Sequence, residues 1–303
     1  MPLPEFIPPM LAVKGEPFDS DDFLFEVKWD GVRALAFRDE RGYRVMNRQK
    51  VNITNRFPEF EGFDQLPVGT VLDGELVVFD NGKPVFARLQ ERDHLSDARK
   101  IRHGARSLPA TFVAFDQLYA LGDSVMDLPL SERRLLLEHT VSELGQPWCV
   151  LSDGIVGQGA ALFAEVRRRD LEGIMAKRLT SPYLPGKRPD TWLKIKKRSA
   201  VLCAIIGFVP ADEDPDDFRS LILACDDHGT LRFCGKVGTG FNQALRDKMN
   251  RLLREHPRAQ PLVPCKEPGQ WIEPGLFARV SFLEMTAGGE LRDPAFEELI
   301  EDA

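Results

Sequence analysis

The sequence predicts an α+β fold: an antiparallel-sheet domain over residues 1–199, then an OB-type β-barrel over residues 200–303. Three observations predict it. Short apolar runs recur between Gly-containing turns such as Arg41-Gly42 and Asn81-Gly82, the mark of antiparallel neighbours. Helical patterns are sparse and peripheral, which disfavours a doubly wound parallel sheet. After Lys197-Arg198-Ser199 the texture changes to irregularly spaced strands around one helical segment, as in a small barrel.

The elements follow in order. Residues 24–28 and 32–38 are apolar-rich strands broken at Asp30-Gly31, a turn that would bring Arg33 back beside Lys28. Residues 43–46 return after Arg41-Gly42. Residues 71–79 form a strong strand ending at Asn81-Gly82, and residues 111–118 form another. A helix over 131–144 is expected, with Ser131 as N-cap and Gly145 as its stop. A further helix over 160–169 has an apolar face and a basic end. Residues 174–177 and 192–196 read as strands on either side of the loop Ser181-Pro-Tyr-Leu-Pro-Gly186. Residues 212–217 form an acidic loop among strands expected over 201–209, 220–224, 231–234 and 279–285. Residues 242–256 carry Leu245, Met249, Leu252 and Leu253 on one helical stripe and meet Pro257.

A chain of 303 residues suits two domains. With 43% apolar and 29% charged residues it is neither collagen, nor a coiled coil, nor disordered over most of its length. No uninterrupted apolar run is long enough to span a membrane. The first residues lack the basic and apolar regions of a secretory leader. Five cysteines (Cys149, Cys203, Cys225, Cys234, Cys265) lack C-x-x-C spacing, so they read as reduced, mostly buried thiols of a cytoplasmic protein rather than a zinc site. The net charge of −7 lies in the last third, where residues 201–303 hold 11 basic against 18 acidic side chains. That balance argues against a passive polycation coating nucleic acid, but a local basic run exists. Residues 167–198 hold eleven Lys/Arg against Asp170, Glu172 and Asp190, which alone reads as a solvated face.

The chemistry concentrates in a few polar groups placed where strands need none. In Glu26-Val-Lys28-Trp-Asp30-Gly31-Val-Arg33, strand alternation puts Glu26 and Lys28 on one face. A lone lysine of this kind snorkels at a strand edge; a buried one beside other cations is a nucleophile. Asp73-Gly-Glu75 sets two carboxylates on one strand face, suited to a Mg²⁺ ion held with substrate phosphates. Phe115-Asp116 ends an apolar strand, where the ring either stacks on a base or fills the core. Glu172-Gly-Ile-Met-Ala-Lys177 repeats the acid-then-strand pattern. Trp192-Leu-Lys194-Ile-Lys196 aims two lysines from one strand face at a phosphate or at water.

In this order, K-x-D-G-x-R, D-G-E-L, F-D, E-G-I-M-A-K and W-L-K-I-K resemble the motif series of the covalent nucleotidyltransferases. That superfamily comprises ATP-dependent DNA ligases, RNA ligases and mRNA capping enzymes. The similarity extends to bacterial end-joining ATP-dependent DNA ligases. It includes Pro9-Met-Leu, Arg48, Ser181-Pro-Tyr-Leu-Pro-Gly-Lys-Arg188, Gly235-Lys-Val-Gly-Thr-Gly-Phe241, Trp271-Ile-Glu-Pro and Leu291-Arg-Asp-Pro-Ala-Phe296. Nearly the whole chain is covered, and a minimal two-domain ligase is expected: a nucleotidyltransferase (adenylation) domain over 1–199 and an OB-fold domain over 200–303.

The resemblance implies sealing of 5′-phosphate/3′-hydroxyl nicks in duplex DNA, in repair or recombination. Lys28 would attack ATP to form lysyl-AMP, AMP would pass to the 5′-phosphate, and the 3′-hydroxyl would displace it. Glu26 and its neighbouring backbone would read adenine, and Phe115 would stack on it. Arg33 and Arg48 would hold ribose and phosphate. Glu75 and Glu172 would serve the ribose and a Mg²⁺ (or Mn²⁺) ion. Lys194 would neutralise the α-phosphate, with Lys196 and Arg188 alongside. Phosphoryl transfer is mostly positioning and charge stabilisation, which suits such a ring. The implied partners are nicked duplex DNA and an unidentified end-joining protein, with a monomeric cytoplasmic chain and no membrane. The run 167–198 and the cluster 88–106 then become expected phosphate-backbone contacts. Gly235-Lys-Val-Gly-Thr-Gly240 is no Walker A loop but a tight strand turn expected to touch DNA. The alternatives are an RNA ligase or guanylyltransferase, or a nucleic-acid-binding module that has lost catalysis.

One departure stands out. End-joining ligases usually close with R-x-D-K, which helps orient pyrophosphate; the aligned residues here are Ile300-Glu-Asp302-Ala303. A slow first step is therefore expected, with Arg292 the basic candidate left in this tail and Arg279 or Lys236 as substitutes.

Overall fold

A computed structural model describes residues 2–212, 214, 217–227, 229–286 and 288–301; Asp302 and Ala303 of the terminal motif, and part of the acidic loop, lie outside them. The chain divides into two units, Met1–Lys196 and Lys197–Ala303.

In the first unit, alternating side chains divide the apolar residues among three layers. A five-stranded sheet contains Val13–Lys14, Trp192–Lys196, Gly173–Arg178, Phe23–Val27 and Gly154–Val156, in that order. A larger sheet is built on Gly42–Asn47, Val32–Asp39, Thr70–Asp80 and Ala110–Ala120, paired antiparallel in sequence. Between the sheets pack Leu35, Phe37, Val71, Phe115, Tyr183 and Trp192. Behind the larger sheet, Phe57, Phe60, Phe63 and Phe112 meet the helices α1 (Phe86–Asp93), α2 (Ala98–Ser107) and α3 (Leu130–Leu144). Behind the smaller, Phe23, Phe25, Ile174 and Ile195 pack on α4 (Gly159–Arg168).

The expected hairpins at Arg41-Gly42 and Asn81-Gly82 form, the second with positive φ at both turn residues. Asp30-Gly31 does not make a hairpin. It carries the chain from the small sheet to the large one, passing so close to the strand Thr70–Asp80 that a Cβ on Gly31 would lie 2.0 Å from the Leu76 carbonyl oxygen. Gly145 ends α3 in the left-handed region at φ 59°, as expected. Its N-cap is Pro129 rather than Ser131, which lies inside the helix. Helices α1 and α2 and the 3₁₀ turns Thr54–Arg56 and Pro58–Gln65 were not legible. The apolar face of α2 is thin, with Gly104 its buried residue, and it packs on the buried Arg92 of α1, which bonds to Glu59.

The second unit is an OB-type barrel built on the long strand Ser199–Pro210. It pairs with Phe218–Asp227 on one side, and with Leu276–Phe282 and then Gln270–Ile272 on the other. Helix α5 (Gln243–Glu255) starts at Asn242, whose side chain accepts the Leu245 N–H. The Gly235-Lys-Val segment belongs to the strand Thr230–Val237, so the turn begins only at Gly238; Lys236 is ion-paired to Glu267. The expectation of five reduced thiols is also corrected. Cys225 and Cys234 form a disulfide with Cα atoms 5.8 Å apart, while Cys149, Cys203 and Cys265 are free. A register shift at Leu223/Ala224 leaves Cys234 as the extra residue, turned into the barrel core with Cys225. Sequence spacing carries no trace of that bulge.

Among the described residues no helix is long and apolar enough to cross a membrane.

Candidate active site

A cavity of about 450 Å³ opens in the first unit, within the range of small-molecule sites. Its lining includes Glu26, Lys28, Arg33, Arg48, Glu75, Phe115, Arg188, Lys194 and Lys196. Glu172 lies outside this lining but reaches it through its partners.

Strand register explains the convergence. Lys28 N–H donates to the Gly173 carbonyl at 2.9 Å, and Gly173 pairs with Lys196, so Lys28, Gly173 and Lys196 form one row across the sheet. Glycine is required in that row, because a Cβ on Gly173 would lie 2.2 Å from the Ile195 carbonyl oxygen. Glu172 then bridges the lysines: Lys28 Nζ donates to Oε2 at 2.6 Å, and Lys196 Nζ lies 2.7 Å from Oε1. Two rows along, on the same face, stand Glu26, Met175 and Lys194. From the large sheet, Arg33 pairs directly with Glu75.

The acids divide by partner. Asp73 is buried and accepts Arg33 Nε at 2.6 Å and Nη2 at 2.5 Å. It also accepts the Tyr183 hydroxyl at 2.6 Å, and Tyr183 Oη accepts the Met10 N–H at 2.9 Å. Glu75 points into the cavity, and burial pushes its carboxyl up to about 8, with Arg33 and Lys28 opposing the shift. Asp30 is likewise raised, by burial and then by Glu172. Glu26 is buried and gives one oxygen to Arg134 at 2.9 Å and the other to Lys177. Burial lowers Lys177, and Glu26 works against that shift.

Phe115 forms part of the wall and is not bare. The Arg33 guanidinium lies 4.5 Å from its ring centroid and Lys177 Nζ lies 4.3 Å away. Arg188 is exposed and donates to the Ala12 carbonyl at 2.6 Å. The basic run 167–198 does not form one face. Arg168 and Arg169 pair with Glu165, Lys177 is buried on Glu26, and Lys196 sits on Glu172.

Several residues of the site were missed in the sequence. Tyr183 and Lys177 stand inside quoted motifs, but neither reveals its partner. Trp29 Nε1 donates to the buried Ser152 hydroxyl at 3.0 Å, and Trp192 Nε1, also in the cavity wall, finds no acceptor among the described residues. Arg134 is the residue that α3 sends to Glu26; no local pattern announces it.

Two predictions arise here. Tyr183→Phe leaves the Met10 N–H unpaired and removes one donor from Asp73, a cost of about 1–2 kcal/mol. The thermal midpoint should fall by roughly 2–6 °C, read by circular dichroism; an unchanged midpoint would show the hydroxyl idle. For Glu75, a folded value above the unfolded one stabilises the chain below about pH 4.5, and that contribution is lost as pH rises toward 8. Glu75→Gln should therefore melt increasingly above wild type between pH 5 and about 8.5. A melting difference independent of pH would contradict the buried-carboxyl assignment.

Comparisons with known proteins agree with this geometry. The family model for the ATP dependent DNA ligase domain matches residues 9–196, and that for the ATP dependent DNA ligase C terminal region matches residues 215–303. The chain is 30% identical to the multifunctional non-homologous end joining protein LigD of Mycolicibacterium smegmatis, over 99% of this chain and 39% of that protein. It thus spans well under half the length of that relative. It is 33% identical to the SPbeta prophage-derived DNA ligase-like protein LigB of Bacillus subtilis, over 96% of this chain and 98% of the relative. The crystal structure of the ligase domain from M. tuberculosis LigD superposes with a TM-score of 0.60 at 29% identity, covering 98% of this chain and 95% of that one. A mycobacterial DNA ligase D complexed with ATP and MES gives 0.56 at 29% identity, covering 99% and 96%. On these grounds the chain belongs to the ATP-dependent DNA ligase family.

Proposed function

We propose that the chain seals 5′-phosphate/3′-hydroxyl nicks in duplex DNA by way of lysyl-AMP on Lys28. The observation that supports this best is the row Lys28–Gly173–Lys196 with Glu172 bridging both lysines at the cavity wall. A primary amine held in a cleft of cations and carboxylates suits attack on the α-phosphorus of ATP. Lys28 Nζ forms the P–N bond as pyrophosphate departs. A nick 5′-phosphate oxygen then attacks the same phosphorus and releases Lys28. The 3′-hydroxyl finally forms the phosphodiester bond as AMP leaves.

Arg33 is held rigidly by Asp73 and Tyr183, so it meets a nucleotide with little ordering cost. Lys194, Lys196, Arg48 and Arg188 surround the phosphates with charge. Glu26 has both oxygens engaged, so adenine reading falls to the adjacent backbone, with Phe115 and the unpaired Trp192 Nε1 beside it. Glu75, a carboxyl raised by burial, fits a cation ligand, and Glu172 fits one less well while both its oxygens face lysines. A Mg²⁺ or Mn²⁺ ion there would neutralise phosphate charge. We assign residues 1–199 to adenylation and 200–303 to the OB-fold domain, in a monomeric cytoplasmic protein of DNA repair.

Incubation with α-labelled ATP and Mg²⁺, followed by denaturing electrophoresis, tests the reading. A labelled band with ATP and none with GTP is expected. Labelling by GTP instead would favour the guanylyltransferase reading, and no labelling would favour a binding module.

A further inference from the structure

Helix α2 reads Ala98-Arg-Lys-Ile-Arg-His-Gly-Ala-Arg-Ser107. Arg99, Arg102, His103 and Arg106 recur at the i, i+3, i+4 and i+7 positions of one face, with Lys100 beside them, and all five are exposed. The helix contains no acid. Its N-cap, Asp97, spends Oδ1 on the backbone N–H groups of Arg99 and Lys100. Among the described residues none of the five forms an ion pair, whereas the neighbouring Arg88 and Arg92 both do.

The opposite face of α2 is held rigidly. Gly104 is packed so tightly that a Cβ there would meet the Arg92 guanidinium at 2.7 Å. The buried Arg92 in turn donates to the Ile101 carbonyl at 3.4 Å, the Arg56 carbonyl at 3.3 Å and Glu59 at 2.9 Å. Helix α1, on which α2 packs, begins at Phe86 in the cavity wall. The charged face therefore stands one short helix away from the site of nucleotide transfer.

We propose that this face of α2 seats the sugar–phosphate backbone of the duplex beside the nick, an inference that rests on the ligase reading above. The stripe from Arg99 to Arg106 spans about 10 Å, the axial length of roughly three phosphates on one strand. Guanidinium forks suit phosphate oxygens. The face carries no Phe, Tyr or Trp, the large rings on which a platform for successive single-stranded bases is built. On a chain whose net charge is −7, such a run of cations on a rigidly seated helix attracts a polyanion locally.

The test uses the full chain, a fluorescent nicked duplex and anisotropy titrations at several salt concentrations. The variants are R99Q/R102Q/R106Q and R99K/R102K/R106K, both of which keep good helix formers. The glutamine variant should bind at least about tenfold more weakly near 0.1 M salt, with a log K against log salt slope shallower by roughly 2–3. The lysine variant should keep most of the affinity. Self-adenylation, which needs no DNA, should match wild type in both and so report an intact fold. Wild-type affinity and slope in the glutamine variant would overturn the proposal, as would a loss confined to single-stranded DNA or RNA. Failure of the wild type itself to take up AMP would instead sink the ligase reading.

Discussion

Lys28→Ala is expected to abolish covalent labelling by α-labelled ATP and the sealing of an ordinary nick. No other amine takes its place by a small shift of the chain. Lys196 is engaged with Glu172, and Lys194 stands two rows away in the sheet. Removing Lys28 should not unfold the protein, since Glu172 keeps Lys196 as its partner. The variant should therefore melt near wild type while its AMP band falls below detection. A chemically pre-adenylated nick should still be sealed in part, because that step no longer uses the amine. A surviving AMP adduct would place the nucleophile elsewhere.

Arg133→Ala should produce the largest loss of stability. The guanidinium is fully buried and meets both oxygens of the equally buried Asp116 at 2.8 Å through Nε and Nη2. Its Nη1 donates to the carbonyls of Leu128 at 2.6 Å and Ser181 at 2.9 Å. One side chain thus ties α3 to the strand Ala110–Ala120 and to the loop that carries Tyr183. Truncation strands a buried carboxylate and costs about 3–5 kcal/mol, or roughly 10 °C in the thermal midpoint. Pairing Arg133→Met with Asp116→Leu should recover much of this, because an apolar pair carries no desolvation penalty. A midpoint shift below about 2 °C for Arg133→Ala would show that the pair is dispensable. The AMP-labelling rate of Arg133→Ala should fall more steeply with temperature than that of wild type, since the loop supporting Arg33 loosens first.

Strand period and motif order made much of the site legible. Glu26 with Lys28, and Lys194 with Lys196, share strand faces because side chains alternate, and each pair lines the cavity. The choice of partner was not legible. Asp73 and Glu75 look equivalent two residues apart, yet one is spent on Arg33 and Tyr183 and the other stands in the cavity. That distinction depends on Tyr183, more than a hundred residues downstream. The sequence also led to a single basic track over 167–198, which the fold disperses among Glu165, Glu26 and Glu172.

By itself the sequence determined the α+β class, the change of texture near residue 199, the strand faces and the identity of the charged groups. These follow from local rules: alternation, turn chemistry and motif spacing act over a few residues. Only the tertiary structure decided that Asp30-Gly31 crosses between sheets and that Glu172 joins Lys28 to Lys196. It also decided that Cys234 bulges onto Cys225, and that the arginines of α2 form no ion pair among the described residues while Arg88 and Arg92 do. In each case the outcome depends on which distant strand or helix supplies the facing side chain. A charge pair forms across a fold only after burial of the apolar faces has fixed the two backbones within reach.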